Sequence, residues 1–296
     1  MSDLQNLKAA GYMMLSMALF TLGDAIIKYL SQDLPIGQIV FLRGVIVCGL
    51  FVLLLHYQKQ SLFPRACWNR WNLLRSVLEL LVACFYLVAL TLLPLATALI
   101  LVFSSPIMLT ILAALLLKEK VGWRRWCAVS TGFVGVILVA DLQQVSLTSW
   151  AIVLPLIAAF LTALKDIFMR KVPKVLTATQ VSFTIAWVVT LGGLATLPMG
   201  WSALKISHLG FLSLGAIFIL AAYLCYVITT RIGELSFISP FKYTSIPLAM
   251  MIGYLVWGDI PSTTSYIGTA VIVASSVFIL FRGATKMPFN AKAERP

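Results

Sequence analysis

The sequence predicts an all-α integral membrane protein: ten transmembrane helices in two inverted five-helix repeats, with both termini in the cytoplasm. Three observations predict it. The 296-residue chain is 61% hydrophobic and 11% charged, with a mean hydropathy of +0.99, whereas soluble domains are about half apolar and about a quarter charged. Its lysines and arginines concentrate in alternate loops. Its two halves align on each other at a nearly constant offset.

A helix needs about 20 apolar residues to cross the hydrocarbon core. Ten segments meet that need, at 9–29, 35–56, 72–92, 96–117, 123–140, 149–169, 178–198, 208–229, 235–257 and 263–281. The connections are short and leave no room for a soluble domain. The N-terminal stretch has one lysine and no small-residue cleavage site, so it reads as the first span rather than a removed signal peptide.

Loop charge sets the orientation. The loops after odd spans hold almost no basic residues: Asp33, Asp141 and Asp259 are their charges, with Lys205 the exception. The loops after even spans are basic, with Lys59, Arg65 and Arg70, then Lys118, Lys120, Arg124 and Arg125, then Arg170, Lys171 and Lys174, then Arg231. The even loops and both termini are therefore expected in the cytoplasm. Trp68, Trp71, Trp123, Trp126, Trp150, Trp201 and Trp257 fall at the expected interfaces, where an amphipathic indole is most stable.

Shifting the sequence by 142 lays DAIIKYL (24–30) over DIFMRKV (166–172), pairing Asp24 with Asp166 and Lys28 with Arg170. The same shift pairs Gln38 with Gln180 and Phe41 with Phe183; at 141 FSSP (103–106) meets TSIP (244–247), and at 140 Glu119 meets Asp259. An odd number of spans per repeat forces the second to enter from the opposite side, an arrangement that places transport sites at the midplane. The expected units are residues 1–144, residues 145–284 and a cytoplasmic tail, 285–296.

The net charge of +12 is dispersed in these loop clusters rather than gathered in one block, which argues against a nucleic-acid partner. Five cysteines and two histidines show no ligand spacing, so neither a metal nor a cofactor is expected. No GxSxG or HExxH motif suggests an enzyme. No charged ring or carbonyl-rich filter repeats in both halves to suggest a channel.

LLLKEKVGWRRWCAVSTGFVGV (115–136) and YLVWGDIPSTTSYIGTAVIV (254–273) each place an acidic residue before an aromatic and a glycine-bearing helix. In this the chain resembles the EamA-type drug/metabolite transporter superfamily, from about Gly11 to Phe281. DAIIKYL, VFLRG (40–44), LLRS (73–76) and PFKY (240–243) are most similar to its S-adenosylmethionine-uptake-like and solute-carrier-35G-like branch. The resemblance implies a central cavity lined by spans 1, 3, 4, 6, 8 and 9 and alternating access by rocking of the halves. It also implies a multi-pass location in a bacterial inner membrane.

Ionisable groups inside a span cost about 2.5–3.5 kcal/mol on insertion scales and are kept for pairing, packing or function. Asp24 is a candidate for cavity lining; the plain alternative is an ion pair with Lys28 one turn on. Asp166 is its repeat mate, and because neighbouring helix residues diverge by about 100°, at most one of Lys165 and Asp166 is expected to face a cavity. Arg75 and Glu79 share the four-residue spacing. Arg75 reads as a headgroup-level partner, whereas Glu79 lies a turn deeper and is a candidate proton-carrying or cation-facing carboxylate.

Arg43 and Lys242 are the deepest cations. Lys242 and Tyr243 lie between Pro240 and Pro247, where a broken helix is tolerated if it lines a cavity, and are expected to face substrate. Arg43 either ties helices together or neutralises Glu79. Ser104 and Ser105 hold the mirror position, against the plain alternative of bonding their own helix carbonyls. Tyr86, Tyr223 and Tyr226 offer stacking or hydroxyl contacts, or simple packing.

The expected function is secondary transport of a small charged or zwitterionic metabolite, such as an amino acid or derivative, by a monomer or homodimer in contact with membrane lipid. Glu79, Asp24 and Asp166 are the candidates for coupling to protons. The alternative is a flippase for a lipid or lipid-linked substrate.

Overall fold

The structure, a computed structural model, describes residues 3–92, 101–119, 121–139, 150–258 and 263–284. Asp141, Asp259, Lys120, the start of the fourth expected span and the basic tail lie outside the described residues. Within them the chain is helical, with no strand. The helices are α1 (Asp3–Leu30), α2 (Ile36–Tyr57), α3 (Arg70–Leu92), α4 (Ser105–Leu116), α5 (Trp123–Val139), α6 (Val153–Met169), α7 (Ala178–Leu194), α8 (Ile206–Ile232), α9 (Ser245–Ile252) and α10 (Thr263–Ala284). Four described segments are long and apolar enough on their own to cross a membrane: Gln5–Leu30, Ile36–Tyr57, Ala178–Met199 and Ile206–Ile232. α4 and α6 are shorter, with 12 and 17 residues.

The ninth expected span is broken where its prolines fall. A short turn (Leu235–Ile238) leads into a 3₁₀ segment (Ser239–Thr244), then α9, then a π-helical turn (Gly253–Trp257) ending at Gly258. Pro240 has no N–H to donate, so the chain tightens to 3₁₀ there. Gly258 closes the segment at φ +70°, a left-handed conformation that glycine adopts without a Cβ clash.

Each helix of the first half packs chiefly on one from the second: α1 on α8, α3 on α6, α2 on α7 and α5 on α10. Secondary contacts follow the same plan, with α4 against α6 and α9 against α1. The largest apolar cluster joins α2, α7 and α8 through Phe51, Leu55, Val181, Phe183 and Val227. A second joins α1, α4, α6 and the broken segment through Met13, Leu109, Ile167, Phe237 and Phe241. Lipid is as apolar as these side chains, so close packing rather than water exclusion drives such contacts.

The even loops gather at one end of the bundle. There Asn6 Oδ1 accepts from the Glu234 N–H at 2.9 Å, and Arg231 Nη1 donates to the Leu176 carbonyl at 2.5 Å. Glu119 accepts from the backbone N–H groups of Leu235 and Ser236, each at 3.2 Å, and lies 3.9 Å from Arg170, which also donates to the Gly233 carbonyl. Gln180 completes a capping box with Thr177 at the start of α7 and donates to the Ser61 carbonyl at 3.0 Å. At the other end Gln38 donates to the Ser202 carbonyl at 2.8 Å and accepts from its N–H at 2.9 Å. Both glutamines thus tie a loop from the other half.

At that second end Asp33 Oδ2 accepts from Lys205 Nζ at 3.3 Å and lies 3.0 Å from His208 Nε2. The hydrogen bond with His208, then the Lys205 ammonium, hold the Asp33 carboxyl below its usual range. A lowered folded pKa means that the clasp contributes fully above the unfolded carboxylate value of about 3.9 and is lost as pH falls through the lowered value. Thermal unfolding should therefore give wild type a higher midpoint than Asp33→Asn at pH 7, with the gap closing as pH drops below about 4. A gap that is constant with pH would remove the carboxylate from the clasp.

Candidate functional site: a buried charge network

The broken segment delivers Lys242 to α6. Its Nζ donates to Asp166 Oδ2 at 2.6 Å, with both side chains buried. From α8 the Tyr226 hydroxyl reaches both oxygens of the same carboxylate, at 2.7 and 2.8 Å. One residue back on α6, Lys165 Nζ donates to Glu79 Oε1 of α3 at 2.8 Å. Both ammonium groups lie over the Tyr226 ring, at 5.5 Å for Lys165 and 5.6 Å for Lys242, within cation–π range. Arg75 lies 3.7 Å from the other Glu79 oxygen, an i,i+4 ion pair too long for a hydrogen bond. Five groups of alternating sign thus meet around one phenol.

Two expectations are corrected here. Lys165 and Asp166 both join the network. Their Cα–Cβ directions diverge as helix geometry demands, but the long lysine stem reaches α3 while the short aspartate faces the broken segment. Arg75 keeps the expected i,i+4 ion pair with Glu79, but its side chain is fully buried between helices rather than open to a headgroup.

A second group lies towards the opposite end. Asp24 is exposed on α1 and makes no hydrogen bond or ion pair among the described residues; its nearest charge partner is Arg43 of α2. Arg43 lies between α1 and α8 beside Gly23 and Gly215, where a Cβ on Gly215 would stand 3.6 Å from Arg43 Cδ, in ordinary contact. Arg43 therefore faces Asp24 and Tyr223 rather than neutralising Glu79. Lys28 lies over the Trp257 ring at 4.2 Å, not against Asp24. Tyr223 is within electrostatic reach of Arg43 and Asp24 on one side and of Glu79 and Arg75 on the other, so it links the two groups. Phe20 sets its edge against Tyr223 and Tyr226, with centroids at 5.6 and 6.1 Å.

The remaining candidates lie elsewhere. Tyr243 follows Lys242 in sequence, but its ring packs with Phe103, Ile246 and Ile272 in an apolar cluster. Tyr86 packs with Ala89, Leu101 and Leu154, on the Asp24 side. The Ser104 hydroxyl donates to the Leu101 carbonyl at 2.6 Å, the plain helix-bonding role, and Ser105 is buried in the first turn of α4. α1, α3, α6, α8 and the broken segment thus supply the charged and aromatic residues of the two groups, α4 supplies none of them, and Arg43 comes from α2.

Charges from three elements, α3, α6 and the broken segment, converge on the Tyr226 phenol in the bundle interior, and ionisable groups kept inside a membrane bundle mark a candidate functional site. Residues 7–140 match the EamA-like transporter family, and the chain resembles multi-pass membrane transporters rather than enzymes. It is 28% identical to a riboflavin transporter of Vibrio cholerae, covering 92% of this chain and 93% of that one. It is 25% identical to an S-adenosylmethionine uptake transporter of Rickettsia conorii over 97% of each. It is 24% identical to a pseudopaline exporter of Pseudomonas aeruginosa, over 92% and 96%. A solved crystal structure, 16% identical, shares the fold with a TM-score of 0.75 across 97% of this chain and 100% of its own.

Proposed function

We propose that this chain is a secondary transporter that moves a small charged or zwitterionic organic metabolite by alternating access. The observation that carries the reading is the Glu79–Lys165 and Asp166–Lys242 network, buried where helices of both halves meet. Breaking and remaking buried ion pairs is one way to couple a solute to two arrangements of packed helices. The three relatives above are named for riboflavin, S-adenosylmethionine and pseudopaline, small organic metabolites rather than lipids, which argues against the flippase alternative.

The inverted repeat, residues 1–144 and 145–284 with both termini cytoplasmic, is part of this proposal. Its support is the reciprocal packing, in which α1 on α8 answers α6 on α3. The Gln38–Ser202 and Gln180–Ser61 ties answer one another at opposite ends. Cys48 and Thr190, one repeat offset apart, meet at 3.6 Å, as residues on a pseudo-two-fold axis should. The grouping of the basic loops at one end supports the cytoplasmic assignment.

Reconstitution into proteoliposomes tests the function. Uptake of metabolites from the riboflavin, amino-acid, nucleoside and carboxylate classes should include at least one saturable solute. An imposed pH gradient should stimulate that uptake, and Glu79→Gln or Asp24→Asn should abolish the stimulation if that carboxylate carries the proton. Phospholipid translocation without solute uptake would replace this reading with the flippase one. Uptake indifferent to pH and to both substitutions would end the proton-coupled version.

A further inference from the structure

The network has more positive charge than it uses. Lys242 and Tyr226 occupy both oxygens of Asp166, and Lys165 bonds Glu79. Asp24 and Arg43, of opposite charge, lie towards the other end and are within electrostatic reach of each other. Three cations, Arg75, Lys165 and Lys242, therefore face two carboxylates, Glu79 and Asp166, and Arg75 is left over.

The guanidinium is fully buried, and among the described residues none of Nε, Nη1 and Nη2 makes a hydrogen bond. Its one carboxylate contact, at 3.7 Å, is to an oxygen of a group that Lys165 already bonds. Arg231 of α8 is within electrostatic reach and adds repulsion rather than relief. A buried guanidinium with unused donors costs several kcal/mol by the usual reckoning of desolvated charge, a cost that an anion at those donors would offset.

We infer that Arg75 is a specificity-determining residue that receives the carboxylate of the transported solute. This rests on the transporter reading and narrows its substrate class to carboxylate-bearing metabolites. One surplus positive charge matches a carboxylate's single negative charge better than a phosphate monoester's, about −1.5 to −2 at neutral pH. The planar guanidinium fork matches the two carboxylate oxygens in a bidentate pair. Tyr223 and Tyr226 are within electrostatic reach of Arg75 and pack against Phe20, so the aromatic cluster offers an apolar or aromatic body a surface while its acid end meets the guanidinium. Lys165 and Lys242, paired with Glu79 and Asp166, offset the repulsion those carboxylates would exert on that acid end.

The test uses the full chain, purified in detergent, and paired probes that differ only at the acid: L-tryptophan, benzoate, succinate and pantothenate against their amides or methyl esters. Thermal shift and direct binding should show at least one acid that stabilises the protein while its neutral partner does not. Arg75→Gln should weaken that acid by about 10- to 100-fold, and Arg75→Lys by less, because the charge survives and the fork does not. Monodisperse elution of Arg75→Lys guards against a folding defect. Equal binding of acid and amide, no binding of any acid, or acid binding retained in Arg75→Gln would each overturn the assignment. So would stabilisation by phosphatidylglycerol nanodiscs alone, which would give the anion site to a lipid headgroup. If uncharged or cationic metabolites are transported and Arg75→Gln leaves that transport intact, this inference fails while the transporter function stands; if nothing is transported, the function itself fails.

Discussion

Lys242→Met is expected to lower the stability of the purified protein by about 3–5 kcal/mol, the usual cost of removing one partner from a buried ion pair. The loss arises because Asp166 is left in a fully buried position without its cation, with only the Tyr226 hydroxyl as partner. Asp166→Asn should be damaging for the reciprocal reason, since it leaves the Lys242 ammonium among apolar walls. The double variant removes both charges and should recover a substantial part of the loss. A double-mutant cycle on thermal or denaturant unfolding measures this directly: the two single losses should sum to more than the double loss. Simple additivity would mean that the 2.6 Å contact is not energetically coupled. Transport should be lost in both single variants and should not return in the double, because the network then no longer has charges to exchange.

The second large effect is expected where α2 crosses α7. Gly193 lets the helices approach so closely that an added Cβ would stand 2.7 Å from the Phe41 backbone nitrogen and 3.0 Å from its Cα. A backbone neighbour cannot rotate away, so the helices themselves must separate. Gly193→Leu should cost at least the roughly 1–3 kcal/mol of an overpacked core, and Gly193→Ala a smaller share. Gly44 on the facing helix is as tight, its would-be Cβ falling on the Thr190 side chain. Gly49, one turn further along α2, has nothing within 4 Å of its would-be Cβ, so Gly49→Ala should be neutral or stabilising, as alanine favours a helix by about 1 kcal/mol. Unfolding midpoints of the three variants check the contrast. If Gly193→Ala and Gly49→Ala behaved alike, the close crossing would not be a determinant of stability.

Helix positions were legible because hydrocarbon thickness imposes one length and loop charge marks the breaks. Lys242 was legible for a related reason: a cation deep in a span, beside Pro240, has few innocent explanations. Arg75 was not, because Glu79 four residues on gives it a complete local account. What claims Glu79 is Lys165, 86 residues away, and no spacing within one helix reveals that. A tally of charges across all spans, three cations against two acids once Asp24 and Arg43 are set aside, was the available signal. Tyr243 erred the other way. Its place beside Lys242 suggested a shared site, but consecutive residues of a 3₁₀ turn point about 120° apart, and its ring faces Phe103 and Ile272. Tyr226 had no such neighbour in sequence and became the centre of the network.

The reciprocal packing of the helices bears on how the chain is made. A ribosome delivers α1, α2 and α3 into the bilayer well before α6, α7 and α8 exist, yet those later helices are the main partners of the earlier ones. Until they arrive, Arg75 and Glu79 have only each other, and the glycine faces of α2 have no α7 to close upon. The nascent first half must therefore wait in the membrane with its polar residues exposed to lipid or to the insertion machinery. Synthesis of α6 through the broken segment then supplies Lys165, Asp166 and Lys242 in turn, so that assembly of the charge network is the late event by which the membrane receives a finished protein.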